Sequence, residues 1–318
     1  MPRAADGRMR LTILGGFLGS GKTTWLRHQL HQKRFGRVHV VVNEAAEIPV
    51  DDTLLGAADR LSVLAGGCVC CAGQDALRNT LRQLCDDRSK LGDAQEKVQQ
   101  IVLETSGLAD PAAVMQAIQD DPVLVRQIVV GDIIVAADAA NAPAQLHDEG
   151  LGRAQIEAAN QIVLTKTDTV RENDLSRLTE TLRRMNPSAD LTAAVFGSQV
   201  NLAPAPPGTA PFDLPDLHAG EAILPCRLDL GPKPDWTTFT IWLSALLHAR
   251  GDTIVRVKGV VLTPAGRLLL QSVRRTVQSP EILPDIDTAT ADNKIVVIGR
   301  GFDPDDLKYS LQRFLAAS

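Results

Sequence analysis

Short apolar runs recur along the first two thirds of the chain, at Leu11–Leu14, Val38–Val42, Leu61–Leu64, Ile101–Leu103, Ile133–Ala136, Ile162–Leu164 and Leu191–Val195. Helix-like stretches separate several of them, among them Thr23–Gln32, Asp75–Cys85 and Pro111–Ala117. In the second of these, Leu77, Leu81 and Leu84 keep one helical face apolar. Such strand–helix alternation predicts an α/β fold, a mostly parallel sheet with helices on both faces. Loops that follow the strands of such a sheet gather along one edge. Segments far apart in sequence are therefore expected to meet there.

The character changes after residue 197. Asn201–Pro215 is rich in proline, with Ala, Gly and Thr among them, and reads as a linker or long surface connection. Beyond it the pattern predicts a strand near Ala222–Leu230, a helix near Trp236–Leu247 and strands near Thr253–Leu262, Leu268–Val273 and Lys294–Ile298. A last helix follows at Pro304–Leu315, and Thr263-Pro264-Ala265-Gly266 reads as the turn between two strands. The expected organisation is a first domain over 1–200, a Pro-rich linker over 201–220 and a smaller α+β domain over 221–318.

At 318 residues the chain can bury two cores. Its net charge is -5 with both signs mixed throughout, so no basic stripe suggests nucleic acid as a partner. Apolar runs such as Ile128 to Val135 are too short to cross a membrane, and Met1 to Arg10 has no apolar core of a secretory leader. Five cysteines, three of them clustered, make no disulfide framework in a protein of this size. The expectation is a cytoplasmic protein with reduced thiols.

Gly16 to Thr23 fits GxxxxGK[ST] in full, behind a predicted strand and ahead of a predicted helix. Glycines such as Gly16, Gly19 and Gly21 let backbone N–H groups close around phosphate oxygens, with Ser20 and Thr24 in the same turn. Lys22 would reach the β- and γ-phosphates, and the Thr23 hydroxyl would ligate Mg²⁺. An accidental glycine-rich turn is the competing reading.

Ile162–Leu164 runs into Thr165-Lys166-Thr167-Asp168. A carboxylate at Asp168 can accept two hydrogen bonds from guanine N1–H and N2–H₂, which adenine cannot supply. Lys166 would lay its stem over the base. The first residue of this motif is usually Asn; Thr165 is shorter and has no amide. The reading favours GTP and GDP over ATP, against a solvated charged turn. Glu104 ends an apolar strand where an acidic residue can meet the Mg²⁺ shell, and Gly107 follows within reach of a γ-phosphate. Leu108 stands where fast GTPases carry a water-orienting Gln nearby, so slow hydrolysis is expected. Glu47 and Asp51 are the remaining candidates for a base.

Residues 66–71 read Gly-Gly-Cys-Val-Cys-Cys. Cys68, Cys70 and Cys71 offer three soft ligands on one short loop, suited to Zn²⁺ or a similar ion and leaving a fourth position open. Glu44 or Glu47 could complete the shell. A redox thiol pair and ordinary buried cysteines are the alternatives. Cys85 and Cys226 read as buried small residues, and His28 and His31, at i and i+3, as a solvated helical face.

Taken together these residues resemble the CobW family of P-loop metal-associated GTPases. The likeness rests on Gly15–Thr24, Val42-Asn43-Glu44-Ala45-Ala46-Glu47, Gly66–Cys71, Glu104–Pro111 and Gln155–Asp168. It continues into Asp235–Gly259 with Trp242 and Arg256-Val257-Lys258-Gly259. The resemblance implies a GTP-binding domain coupled to a Zn²⁺ or Co²⁺ site at Cys68, Cys70 and Cys71, and a second domain that helps choose a client metalloenzyme. It also suggests pairing with a second copy of the chain. Two positions depart from the family pattern: Ala45-Ala46 replaces a bulky-residue–glycine pair, and Arg274-Arg275 stands where a His is typical. The resemblance favours a GTP-dependent metal carrier. A GTP-switched regulatory module with a structural zinc loop is the second reading, and a phosphoryl-transferring kinase the third.

Overall fold

The computed structural model describes residues 7–43, 60–64, 73–90, 98–215, 224–251, 253–283 and 292–316. Arg8–Leu217 and His218–Ser318 make up most of two compact units.

In the first unit the expected runs become β1 (Met9–Gly15), β2 (Val38–Asn43), β3 (Arg60–Leu64) and β4 (Gln100–Glu104). They are followed by β5 (Ile128–Asp138), β6 (Gln161–Thr165), β7 (Asp190–Val195) and β8 (Ser198–Val200). These form one sheet in the order β3-β2-β4-β1-β5-β6-β7-β8. Every neighbouring pair is parallel except the hairpin β7–β8. The helices are α1 (Lys22–His31), α2 (Gln74–Lys90), α3 (Pro111–Gln119), α4 (Leu124–Gln127), α5 (Ala142–Asp148), α6 (Gly150–Ala158) and α7 (Glu172–Met185).

Both faces of the sheet are covered. Leu14 joins Val40, Val102, Ile134 and Val163 in one cluster with Trp25, Leu26 and Leu30 of α1. Leu11 and Ile13 point the other way by strand alternation and are fully buried too. This is why the strands read as near-continuous apolar runs rather than alternating ones. On α2 the buried stripe is Leu77, Leu81 and Cys85, so the apolar face continues through the thiol, with Leu84 at its half-buried margin.

Residues 201–215 carry no regular element, yet they are strapped to α7. Thr181 Oγ1 accepts from Phe212 N at 2.8 Å. The Arg177 guanidinium lies 4.3 Å from the Phe212 ring centre.

The second unit holds an antiparallel sheet of β9 (Leu224–Asp229), β10 (Ile254–Thr263), β11 (Gly266–Val273), β12 (Thr276–Val277), β13 (Glu281–Leu283) and β14 (Lys294–Gly299). The order is β12-β11-β10-β14-β9, with β13 also pairing with β11. Helices α8 (Trp236–Arg250) and α9 (Pro304–Ala316) complete it. Phe239, Trp242, Leu243 and Leu247 of α8 and Leu307 and Leu311 of α9 bury one face of that sheet. Trp242 donates its indole N–H to Ser310 Oγ at 3.2 Å, so the ring is satisfied as well as buried. Asp235 caps α8 by accepting from Thr237 N at 3.0 Å.

Candidate nucleotide site

The C-terminal ends of β1, β4, β5 and β6 converge in the ladder: Leu14 pairs with Glu104, Gly15 with Val135, and Asp138 with Thr165. Each carries one part of the site. The chain leaves β1 through Gly16, whose φ is +131° and whose added Cβ would lie 2.3 Å from the Ala136 carbonyl oxygen. Only glycine can make that turn. Gly21, with φ +83°, then caps α1, and Trp25 N donates to its carbonyl at 2.9 Å.

Within the loop, Lys22 is only 8 % exposed and donates to the Gly16 and Phe17 carbonyls at 2.9 and 3.0 Å. Ser20 Oγ is buried with no hydrogen-bond partner among the described residues. A turn with Gly16, Gly19 and Gly21 at positive φ, an ammonium and an unpaired buried hydroxyl fit a polyphosphate. Thr23 Oγ1 donates to Glu104 Oε1 at 2.5 Å, across 81 positions of sequence. The two side chains are adjacent as Mg²⁺ ligation of the first and support from the second would require.

After β4, Thr105 is tied back to β1, its N–H donating to Leu14 O at 2.9 Å. Gly107 then packs so closely on the phosphate loop that a Cβ would stand 2.4 Å from Leu18 N. Buried Gln155, from α6, donates to the Gly107 and Ala109 carbonyls at 3.2 and 2.9 Å. Asp110 caps α3 through Ala112 N at 2.9 Å and so ends the loop.

At the end of β6, the Thr165 hydroxyl donates to Ser20 O at 2.8 Å. The short side chain thus still grips the phosphate loop where an amide is usual. Lys166 takes a left-handed conformation, φ +55°, and its ammonium donates to Gly19 O at 2.8 Å and to Asp138 Oδ2 at 2.7 Å. Asp168 lies exposed in the following turn, Thr167–Thr169. Burial alone would raise the Asp138 carboxyl. Hydrogen bonds from Lys166, Asn141 and Ala140 N, with the Lys166 charge, outweigh it and hold the pKa below the ordinary carboxylate range.

Thus Gly16, Gly19, Ser20, Gly21, Lys22, Thr23, Thr24, Glu104, Gly107, Thr165, Lys166 and Asp168 all fall on one edge of the sheet. Asp138 and Gln155 belong with them. Asp138 could have been suspected as an acid ending a long apolar run. Gln155 sits in a helix with no local motif of its own. Cys68, Cys70, Cys71, Glu44, Glu47 and Asp51 lie outside the described residues. Cys85 and Cys226 are buried and free, and burial pushes the Cys85 thiol up to about 11.

Two family profiles match the chain: "CobW/HypB/UreG, nucleotide-binding domain" over residues 10–193 and "Cobalamin synthesis protein cobW C-terminal domain" over 228–315. Zinc chaperone YjiA of Escherichia coli strain K12 is 35% identical over 188 residues, 59% of this chain and 58% of that protein. Zinc chaperone CobW of Pseudomonas aeruginosa is 28% identical over 371 aligned positions, 99% of this chain and 94% of that protein. The crystal structure of Zn(II)-bound YjiA GTPase from E. coli shares the fold, with a TM-score of 0.62 over 96% of this chain and 99% of that one, at 24% identity. The chain belongs to the CobW/HypB/UreG family of nucleotide-binding proteins, with a CobW C-terminal domain following the nucleotide-binding one.

Proposed function

We propose that the protein is a slow GTPase that carries Zn²⁺, or Co²⁺, on Cys68, Cys70 and Cys71 and delivers it to a client metalloenzyme. The observation that carries this reading is the shared edge. Lys22, Thr23 and Glu104 stand beside the Thr165–Asp168 turn on a chain that also holds a CxCC sequence. The zinc chaperones it resembles support the metal.

In this reading Gly16, Gly19, Ser20, Gly21 and Thr24 surround the phosphates, and Lys22 neutralises them. Thr23 with Glu104 holds Mg²⁺, while Lys166 and Asp168 bind guanine, with Thr165 bracing the loop. Mg²⁺ supplies charge compensation at the β- and γ-phosphates. Gly107, pinned by Gln155, reports the γ-phosphate to its loop. With no glutamine after Gly107, water is poorly oriented and turnover is slow, as suits a switch.

Coupling between two such sites is typically about 1–3 kcal/mol, whereas a thiolate site holds zinc with about 10–16 kcal/mol. Loosening alone therefore does not empty the site, and transfer needs ligand exchange with a client protein. The 221–318 domain is the proposed client selector, and the proposed setting is the cytoplasm, where a thiolate site stays reduced. Among the described residues no helix is long and apolar enough to cross a membrane.

The test is a Co²⁺ titration read by thiolate-to-metal absorbance, without nucleotide, with Mg²⁺·GDP and with a non-hydrolysable Mg²⁺·GTP analogue. A band that needs Cys68, Cys70 and Cys71 and tightens only with the GTP analogue is expected. Equal affinity in all three states would favour a regulatory module with a structural zinc loop.

A further inference from the structure

Phe196 and Gly197 form the two-residue turn between β7 and β8, with Val195 facing Ser198 across the hairpin. Their φ angles are +49° and +85°, both left-handed. Such a turn favours Asn, Asp or Gly at its first position, because a Cβ there crowds the following carbonyl. A phenylalanine in that conformation is a local conflict. Burial does not explain it, since Phe196 is 83 % exposed and the most exposed of the large hydrophobics among the described residues. Neither turn chemistry nor core packing selects this residue, and strain held in place by its surroundings concentrates at functional sites.

The surroundings do hold it. Gly197 O accepts from Gln29 Nε2 at 3.0 Å. A Cβ on Gly197 would stand 2.5 Å from His28 Cβ and 2.8 Å from Thr24 O, so the turn is clamped against the first turns of the phosphate-loop helix. On its other side, Ala194 is the ladder partner of Thr165. Two residues on, Phe196 reaches the level of the Thr167–Thr169 turn that presents Asp168. The backbone of the turn is thus held against α1, and the exposed Phe196 follows a strand that pairs with the one leading into Lys166–Asp168.

We infer that Phe196 is the aromatic platform for the purine base of the bound nucleotide, opposite the Lys166 stem. This rests on the guanine-nucleotide reading above. A ring supplies base affinity by stacking and is indifferent to which purine it meets, so Asp168 keeps the selection of guanine. The fold accepts a strained turn because the only gain from this ring comes on binding.

Two variants of the full-length protein test this. Phe196→Asn suits the turn, so its thermal midpoint in the absence of nucleotide should rise, by about 2–4 °C if strain of ordinary size is released. Calorimetric titration should show it binding Mg²⁺·GDP ~10-fold or more weakly. The loss should be equal for a non-hydrolysable GTP analogue, since both carry the same base. Phe196→Trp should retain affinity and show indole fluorescence that GDP quenches beyond the change seen in the parent protein, which has three tryptophans. If Phe196→Asn binds both nucleotides as tightly as the parent, or the new indole ignores GDP, the inference fails and the nucleotide reading stands. If the parent itself binds no guanine nucleotide, both fail together.

Discussion

Lys166 and Asp138 form an ion pair of 2.7 Å between the ends of two neighbouring parallel strands, with the Asp138 side chain 2 % exposed and the Lys166 side chain about half in solvent. The same ammonium reaches the Gly19 carbonyl, so one side chain ties the end of β5 to the phosphate loop. In the proposed reading, base and phosphate recognition would then share a single brace, with Asp138 as a positioning residue behind Lys166.

Replacing Asp138 by Asn should weaken GDP binding by about tenfold, the scale of one charge-assisted bond, while leaving the Mg²⁺ requirement unchanged in a titration with and without the ion. The carboxyl pKa is lowered by folding, so its stabilisation is complete above the unfolded value, about 3.9, and is lost as pH falls through the folded value below that. Thermal midpoints of parent and Asp138→Asn should differ at neutral pH and converge below about pH 4. A constant gap down to the lowest pH would show that the charge contributes nothing.

Thr165→Val removes the hydroxyl that meets Ser20 O inside the fold and leaves that carbonyl without its partner. Urea unfolding should show a loss of about 1–3 kcal/mol. Thr165→Ser should recover most of it, because it restores the donor.

Gln155 holds the Gly107–Ala109 carbonyls from a helix that carries none of the proposed phosphate or base ligands. Gln155→Leu should reduce affinity for the GTP analogue more than for GDP, since only the former uses the Gly107 loop. An equal reduction for both would assign the residue to general packing.

Thiol labelling separates the two kinds of cysteine. Cys85 is buried with its pKa pushed up to about 11, and burial also raises that of Cys226. At pH 7.5 both should resist a thiol reagent in the native protein and react on unfolding. The three thiols of residues 68–71 should react natively and be protected by Zn²⁺. Native labelling of Cys85 at a comparable rate would contradict its place on the α2 stripe.

Periodicity and motif spacing, both local properties, were enough to predict a parallel sheet from the runs between Leu11 and Val195, and the loop at Gly16–Thr23. Chain order alone also implied that the Glu104–Gly107 segment would reach the loop's edge, because parallel strands emerge on one side. It could not supply the short helices over 142–158, where apolar residues are too few to show a period. It could not pair Thr23 with Glu104 by a 2.5 Å bond, or show that the Thr165 hydroxyl replaces a longer amide. Nor could it find Asp138, Gln155 or the strained Phe196–Gly197 turn, whose meaning depends on neighbours 28 to 173 positions away. Residue type and spacing determine which chemistry a segment can carry. Distances between segments exist only once the sheet has assembled, because strand register and helix packing, rather than sequence separation, decide which side chains meet.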